Sequence, residues 1–190
     1  GTGIPATSGL DSIVKSFMQK HGVRYAQLCV GKGGSIKYNK ALTWAENSYK
    51  TADNSDLFLL ASCSKLFVHA AIRELYNKSP KVLDPNDKAY GILGFSDPKD
   101  SRSDDITIKN LLENKGGFDA DTYDSTYDMR NIAIALGLTK AVTKTNLATY
   151  MYKNRNLKDD PGSKDNYCNY GYVLLSLVVE KISGKDYFAF

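Results

Sequence analysis

The chain has 190 residues, 42% hydrophobic and 24% charged, and a net charge of +4 from 25 basic and 21 acidic residues spread along its length. That composition supplies a folded core and argues against disorder, and scattered charge with no Lys/Arg block argues against a nucleic-acid partner. Three cysteines without CxxC spacing, two histidines and no HExxH pattern point to no metal or cofactor, and no apolar run reaches the roughly 18 to 20 residues of a membrane span.

In chain order, the first predicted element is a helix from Leu10, with Ile13, Val14, Phe17 and Met18 on one stripe and Gly22 as its stop. Residues 23–45 read as two β-segments around a glycine turn at Lys32-Gly33-Gly34. Residues 1–52 are therefore assigned to a helix and hairpin of an α/β part, and 53–190 to a mostly helical part. In that second part Ser62 stands where an N-cap belongs, and Leu66, Phe67, Ala70, Ala71 and Leu75 form the expected apolar face of a helix ending near Asn77. Shorter helices are predicted over 107–114, closed by Gly116-Gly117, and over 146–153, and a last one over 170–183 with Gly184 as its stop. The polar connection 90–105 is longer than linkage requires. The fold class is α+β.

The stretch "FLLASCSKLF", residues 58–67, carries the first chemical signal, Ser62-x-x-Lys65. On a helix these two side chains share a face, so hydroxyl and amine come within hydrogen-bond reach. The helix N-terminus favours a developing oxyanion. Apolar neighbours such as Phe58 and Leu66 would strip the amine of water and make it a better base. The plain alternative is that Ser62 caps the helix and Lys65 points into solvent. Spacing alone does not choose, because 16 serines and 20 lysines give about one or two such pairs by chance, and Ser12-x-x-Lys15 has the same form. A second constellation, Tyr167-Cys168-Asn169, follows a Pro-Gly turn and precedes the last amphipathic helix.

Taken in order, these motifs resemble the penicillin-recognising serine hydrolases related to class C β-lactamases, which include DD-peptidases, D-aminopeptidases, carboxylesterases and acyltransferases. The likeness rests on "FLLASCSKLFVHAAIRELYNK", "VLDPNDKA", "ITIKNLLENKGGFD", a Pro-Gly turn, Tyr-x-Asn and "GYVLLSLVVEKISGK", across residues 56–187. It implies an antiparallel sheet with a terminal helix beside a helical region. It also implies Ser62 as acyl-accepting nucleophile, Lys65 as its partner in proton transfer, Tyr167 as general base or acid, and Asn169 as a residue that binds substrate or orients the lysine, or else simply caps the next helix. A lysine beside a phenol favours the phenolate, so such a pair works without histidine.

The sequence also departs from the family pattern. Asn114 and Gly116 stand where many members have His and Ser, and Cys63 and Cys168, one in each motif, are candidates for a disulfide. The family's third element, a strand with a Lys- or His-x-Gly motif, is not found. The chain is thus expected to be incomplete on its own, roughly the N-terminal half of an enzyme whose complementary C-terminal chain comes from the same precursor. The implied substrate is a small ester, amide or peptide, with esters favoured if the tyrosines and the 90–105 connection line an aromatic acyl pocket. A D-amino-acid peptidase, a β-lactamase and a non-catalytic ligand-binding relative are the alternatives. The compartment stays open, with secretion favoured.

Overall fold

The computed structural model describes residues 8–44, 47–121 and 124–190. The chain divides into two compact units, Gly1–Leu59 and Leu60–Phe190.

The first unit contains α1 (Ser8–Lys20) and the antiparallel pair β1 (Tyr25–Lys32) and β2 (Ser35–Thr43). Gly33 and Gly34 both take positive φ, 60° and 72°, which a two-residue hairpin turn requires and which glycine adopts without a Cβ clash. Asp11 ties α1 to β2, because its carboxylate accepts from Tyr38 Oη at 2.6 Å and from Lys40 Nζ at 2.5 Å. Of the predicted α1 stripe, Met18 is buried, while Ile13 and Phe17 stay exposed. The Gln27 side chain donates to the carbonyls of Asp53 and Asp56, fastening the polar segment after β2 to β1.

The second unit is helical. A short 3-10 turn (Ala61–Ser64) leads into α2 (Lys65–Tyr76). There follow α3 (Ala89–Leu93), α4 (Ile108–Leu112), α5 (Met129–Ala135), α6 (Lys144–Asn154) and α7 (Asn169–Ser183). Capping boxes open both α4 and α6: Thr107 exchanges bonds with Asn110, and Thr143 with Asn146. Helix α7 is the axis of this unit. Leu174, Leu175, Val178 and Val179 are fully buried among α2, α3, α4 and α6, each such side chain stabilising by about 1.5–3 kcal/mol relative to exposure.

Two expectations need correction. Helix α2 buries Val68, Ile72 and Leu75 toward the core, whereas Leu66 and Phe67 are 70% and 61% exposed. Of the expected face Leu75 is covered, but packing against α7 turns the Val68, Ile72 and Leu75 stripe inward and leaves Leu66 and Phe67 outside. The 90–105 connection is not a loose polar loop, since it contains α3 and a 3-10 turn (Ser101–Asp105). Its Tyr90 is buried and packs on Tyr152 and Phe95 at ring-centroid distances of 4.4 and 5.6 Å. These aromatics fill the core and do not line an acyl pocket.

Arg102 braces this region. Its guanidinium donates to Asp100 at 2.6 and 3.0 Å, to Asp160 at 2.7 Å and to the Leu157 carbonyl at 2.9 Å, and Asp100 also accepts from Leu157 N at 3.0 Å. Arg102 holds the Asp100 carboxyl down at about 2. Because this native value lies below the unfolded one, the stabilisation is complete above the unfolded value and drains away as pH falls toward 2. Asp100→Asn is expected to cost about 1–3 kcal/mol at pH 7 and to flatten the stability slope between pH 4 and 2. Urea denaturation of both proteins across that range measures it.

Candidate active site

Ser62 lies inside the 3-10 turn, not at the N-cap of α2, which is Ser64. The turn is entered through Ala61 at φ 47°, a left-handed conformation for a residue with a Cβ, and such residues carry about 1–3 kcal/mol of strain. This geometry leaves Ser62 on the surface with its hydroxyl free to meet side chains from elsewhere in the fold. Lys65, in the first turn of α2, donates to Ser62 Oγ at 3.2 Å. The apolar shield expected from Leu66 is absent, since that side chain faces solvent. The surroundings of the amine are aromatic instead: Lys65 Nζ sits 4.6 Å from the Tyr167 ring centroid and 5.2 Å from that of Tyr172.

The Tyr-x-Asn motif is brought to α2 by a backbone ladder between 114–118 and 158–166. Gly117 O accepts from Lys158 N and Asp159 N at 2.9 and 3.2 Å, Lys115 O from Gly162 N at 2.8 Å, and Asn114 O from Asn166 N at 2.8 Å. The Gly-Gly pair permits this approach. A Cβ on Gly117, whose φ is +81°, would fall 2.3 Å from Asp159 O, and one on Gly116 would meet the Phe118 ring at 2.6 Å. The ladder delivers Tyr167 Oη to 2.5 Å from Ser62 Oγ. Two residues later Asn169 begins α7 as its first helical residue, with Cys168 as the N-cap, so Asn169 is not the cap. Its Oδ1 accepts from Lys65 Nζ at 2.6 Å. Ser62, Lys65, Tyr167 and Asn169 therefore form one hydrogen-bonded group.

Three further residues reach it that the sequence did not single out. Asp124 Oδ2 accepts from Asn169 Nδ2 at 2.8 Å, Tyr127 Oη lies 3.4 Å from the same nitrogen, and Tyr172 stacks beside Lys65. Asp124 stands in an acid-rich loop with no local signal to separate it from its neighbours. Tyr172, five residues beyond Tyr167 and seven beyond Lys65 plus one hundred in sequence, is legible only once α7 is packed on α2.

The electrostatics follow from these contacts. The Lys65 amine, and then the Ser62 hydroxyl, hold the Tyr167 phenol below its ordinary value, opposed by its partial desolvation and more weakly by Asp124. Burial pushes the Cys168 thiol up to about 11. The candidate pair Cys63 and Cys168 is not bridged: both thiols are free, with Cys168 turned into the core and Cys63 facing outward.

The family model described as Beta-lactamase matches residues 10–190, and the chain belongs to that family. It is 28% identical over 186 residues to Penicillin-binding protein 4* of Bacillus subtilis (strain 168), covering 94% of this chain and 37% of that protein. Among solved structures, "EstCE1, a hydrolase with promiscuous acyltransferase activity" superposes with a TM-score of 0.71 at 18% identity, covering 95% of this chain and 48% of the other. The octameric penicillin-binding protein homologue from Pyrococcus abyssi superposes with a TM-score of 0.67 at 21% identity, covering 96% of this chain and 40% of the other. The fold is that of the β-lactamases and penicillin-binding proteins, α+β. The chain spans less than half the length of each of these three relatives.

Replacing the amine tests the electrostatics directly. In Lys65→Met the Tyr167 phenol is expected to titrate higher, toward its ordinary value of 10.0, because its principal stabilising donor is gone. The 13Cζ resonance of Tyr167 followed against pH reads the change, and an unmoved titration would show that Lys65 does not govern it.

Proposed function

We propose that the protein of which this chain is part is a serine hydrolase or acyltransferase, working through a covalent ester on Ser62. The observation that carries this reading is the 2.5 Å contact between Ser62 Oγ and Tyr167 Oη, with Lys65 Nζ within 3.2 Å of the same serine oxygen. Tyr167, its phenolate favoured by the lysine, takes the Ser62 proton as Oγ attacks the substrate's carbonyl carbon. The leaving group recovers that proton from the phenol as its bond to the carbonyl carbon breaks, leaving an acyl-serine. Water or another nucleophile gives its proton to Tyr167, attacks the ester carbon and releases the acyl group, and Ser62 regains a proton. Asn169 holds the lysine and offers its amide to substrate.

The remaining parts of the site, an oxyanion donor among them, are assigned to the portion of the relatives' length that this chain does not match. A complementary chain from the same precursor would supply them. The substrate class is a small ester, amide or peptide. With Tyr90 and its neighbours in the core, the preference for esters rests only on the hydrolase and acyltransferase neighbour. Penicillins and D-amino-acid peptides are the second reading, favoured by the penicillin-binding relatives.

A fluorophosphonate probe should label Ser62 in the whole protein, and Ser62→Ala should abolish the adduct. Tyr167→Phe should slow labelling by about 10²–10⁴-fold. A fluorescent penicillin used in parallel separates the two substrate readings. Equal labelling of wild type and Ser62→Ala, located by peptide mass mapping, would remove Ser62 from the chemistry.

A further inference from the structure

We propose that Asp124 is the positioning residue of this site: by accepting from Asn169 Nδ2 it dictates which end of that amide faces Lys65. The inference rests on the acyl-transfer reading above and extends it to a residue that never touches the reacting atoms.

An asparagine amide has an acceptor end and a donor end of nearly the same shape, and the wrong end toward an amine is costly. Here Asn169 Oδ1 must face Lys65 Nζ, at 2.6 Å, for the amine to be held beside Ser62. Nothing in Asn169 itself enforces that orientation. The charged amine, a donor only, favours it from one side, and Asp124 locks it from the other, because a carboxylate is an acceptor only: it draws Nδ2 to 2.8 Å and leaves Oδ1 no place but the lysine side. The Asn169 backbone N–H also points at Asp124 Oδ2, at 3.4 Å. Tyr127 Oη, at 3.4 Å from Nδ2, sits on an exposed side chain and adds a longer contact.

The two oxygens of Asp124 divide the work. Oδ1 caps the 3-10 turn Ser125–Tyr127, accepting from Thr126 N at 3.0 Å and Thr126 Oγ1 at 2.6 Å. Oδ2 faces Asn169. The cap fixes the carboxylate, the carboxylate fixes the amide, and the amide fixes the amine. In Asp124→Asn the cap keeps an oxygen acceptor, so the new amide turns its NH₂ toward Asn169. Two NH₂ groups then oppose each other, and Asn169 either loses its partner or flips and presents NH₂ to Lys65. The reciprocal exchange repairs the order: with Asn169→Asp added, a carboxylate at position 169 accepts from Lys65 on one side and from the amide at position 124 on the other.

The experiment compares Asp124→Asn, Asn169→Asp, the double variant and Thr126→Val in the whole protein. It follows fluorophosphonate acylation rates and the side-chain amide resonances of Asn169. Asp124→Asn is expected to slow acylation by about 10- to 100-fold, as loss of an outer orienting partner does in other sites. The Asn169 NH₂ signals should move to free-amide positions. The double variant should acylate faster than either single one, and Thr126→Val should stay within about twofold of wild type, since a backbone donor still holds the cap. The proposal is overturned if Asp124→Asn leaves both the rate and the Asn169 resonances unchanged. It is equally overturned if Thr126→Val loses as much as Asp124→Asn, or if the double variant is no better than the worse single one. Should wild type not be acylated at all, the acyl-transfer reading fails, and the orientation of Asn169 is then decided by its resonances alone.

Discussion

The position of one amine organises the second unit. Lys65 Nζ touches Ser62 Oγ, Asn169 Oδ1 and the faces of two tyrosines, and those partners come from three places: the turn before α2, the segment before α7, and α7 itself. A lysine side chain has about 2 kcal/mol of rotamer freedom to lose when held in one pose. Several simultaneous contacts are needed to offset that, and here they converge from both sides. The helix pair α2 and α7 supplies the rigidity, through Val68, Ile72 and Leu75 on one and Leu174, Leu175 and Val178 on the other. Polar geometry at the surface is set by apolar contact beneath it.

Between the helices the chain uses backbone bonds where side chains would be too compliant. The ladder from 114–118 to 158–166 fixes Tyr167 by main-chain contacts, and the close approach of Gly117 to Asp159 makes that register unavailable to any residue with a Cβ. The Arg102 brace anchors the same segment from its other end, at Leu157 and Asp160. A loop tied at both ends can present an exposed phenol at a fixed place, which loops without such ties do not achieve.

The order of the elements was legible because its signals are local. Gly33-Gly34, Gly184 and the periodic run of 170–183 each state their role within a few residues. The four polar residues that the structure joins by hydrogen bonds also stand out in the sequence, as two short motifs. What could not be read was whatever depends on a distant partner. Leu66 and Phe67 are as apolar as Val68 and Ile72, and only α7 decides which stripe is covered. The region 90–105 looked polar because its buried members, Tyr90 and Ser103, are sparse among serines, aspartates, Lys99 and Arg102. Asp124 is indistinguishable from Asp121 or Asp128 until Asn169 is beside it. The start of α2 was misplaced by two residues, with the cap at Ser64 and not Ser62, because a 3-10 turn and a capped helix have the same first-turn composition.

Directly behind Asn169, Tyr170 is sealed in the interior, its hydroxyl 2.7 Å from that of Tyr90 and 3.4 Å from the Ala148 carbonyl. The residue that seats the amine is thus covalently next to one keyed into the far side of the unit. A change at residue 90 or 148 would therefore reach the hydrogen-bonded group of Ser62, Lys65, Tyr167 and Asn169 without altering any of its members. The layer hidden beneath the motif thus sets its geometry as much as the motif residues do.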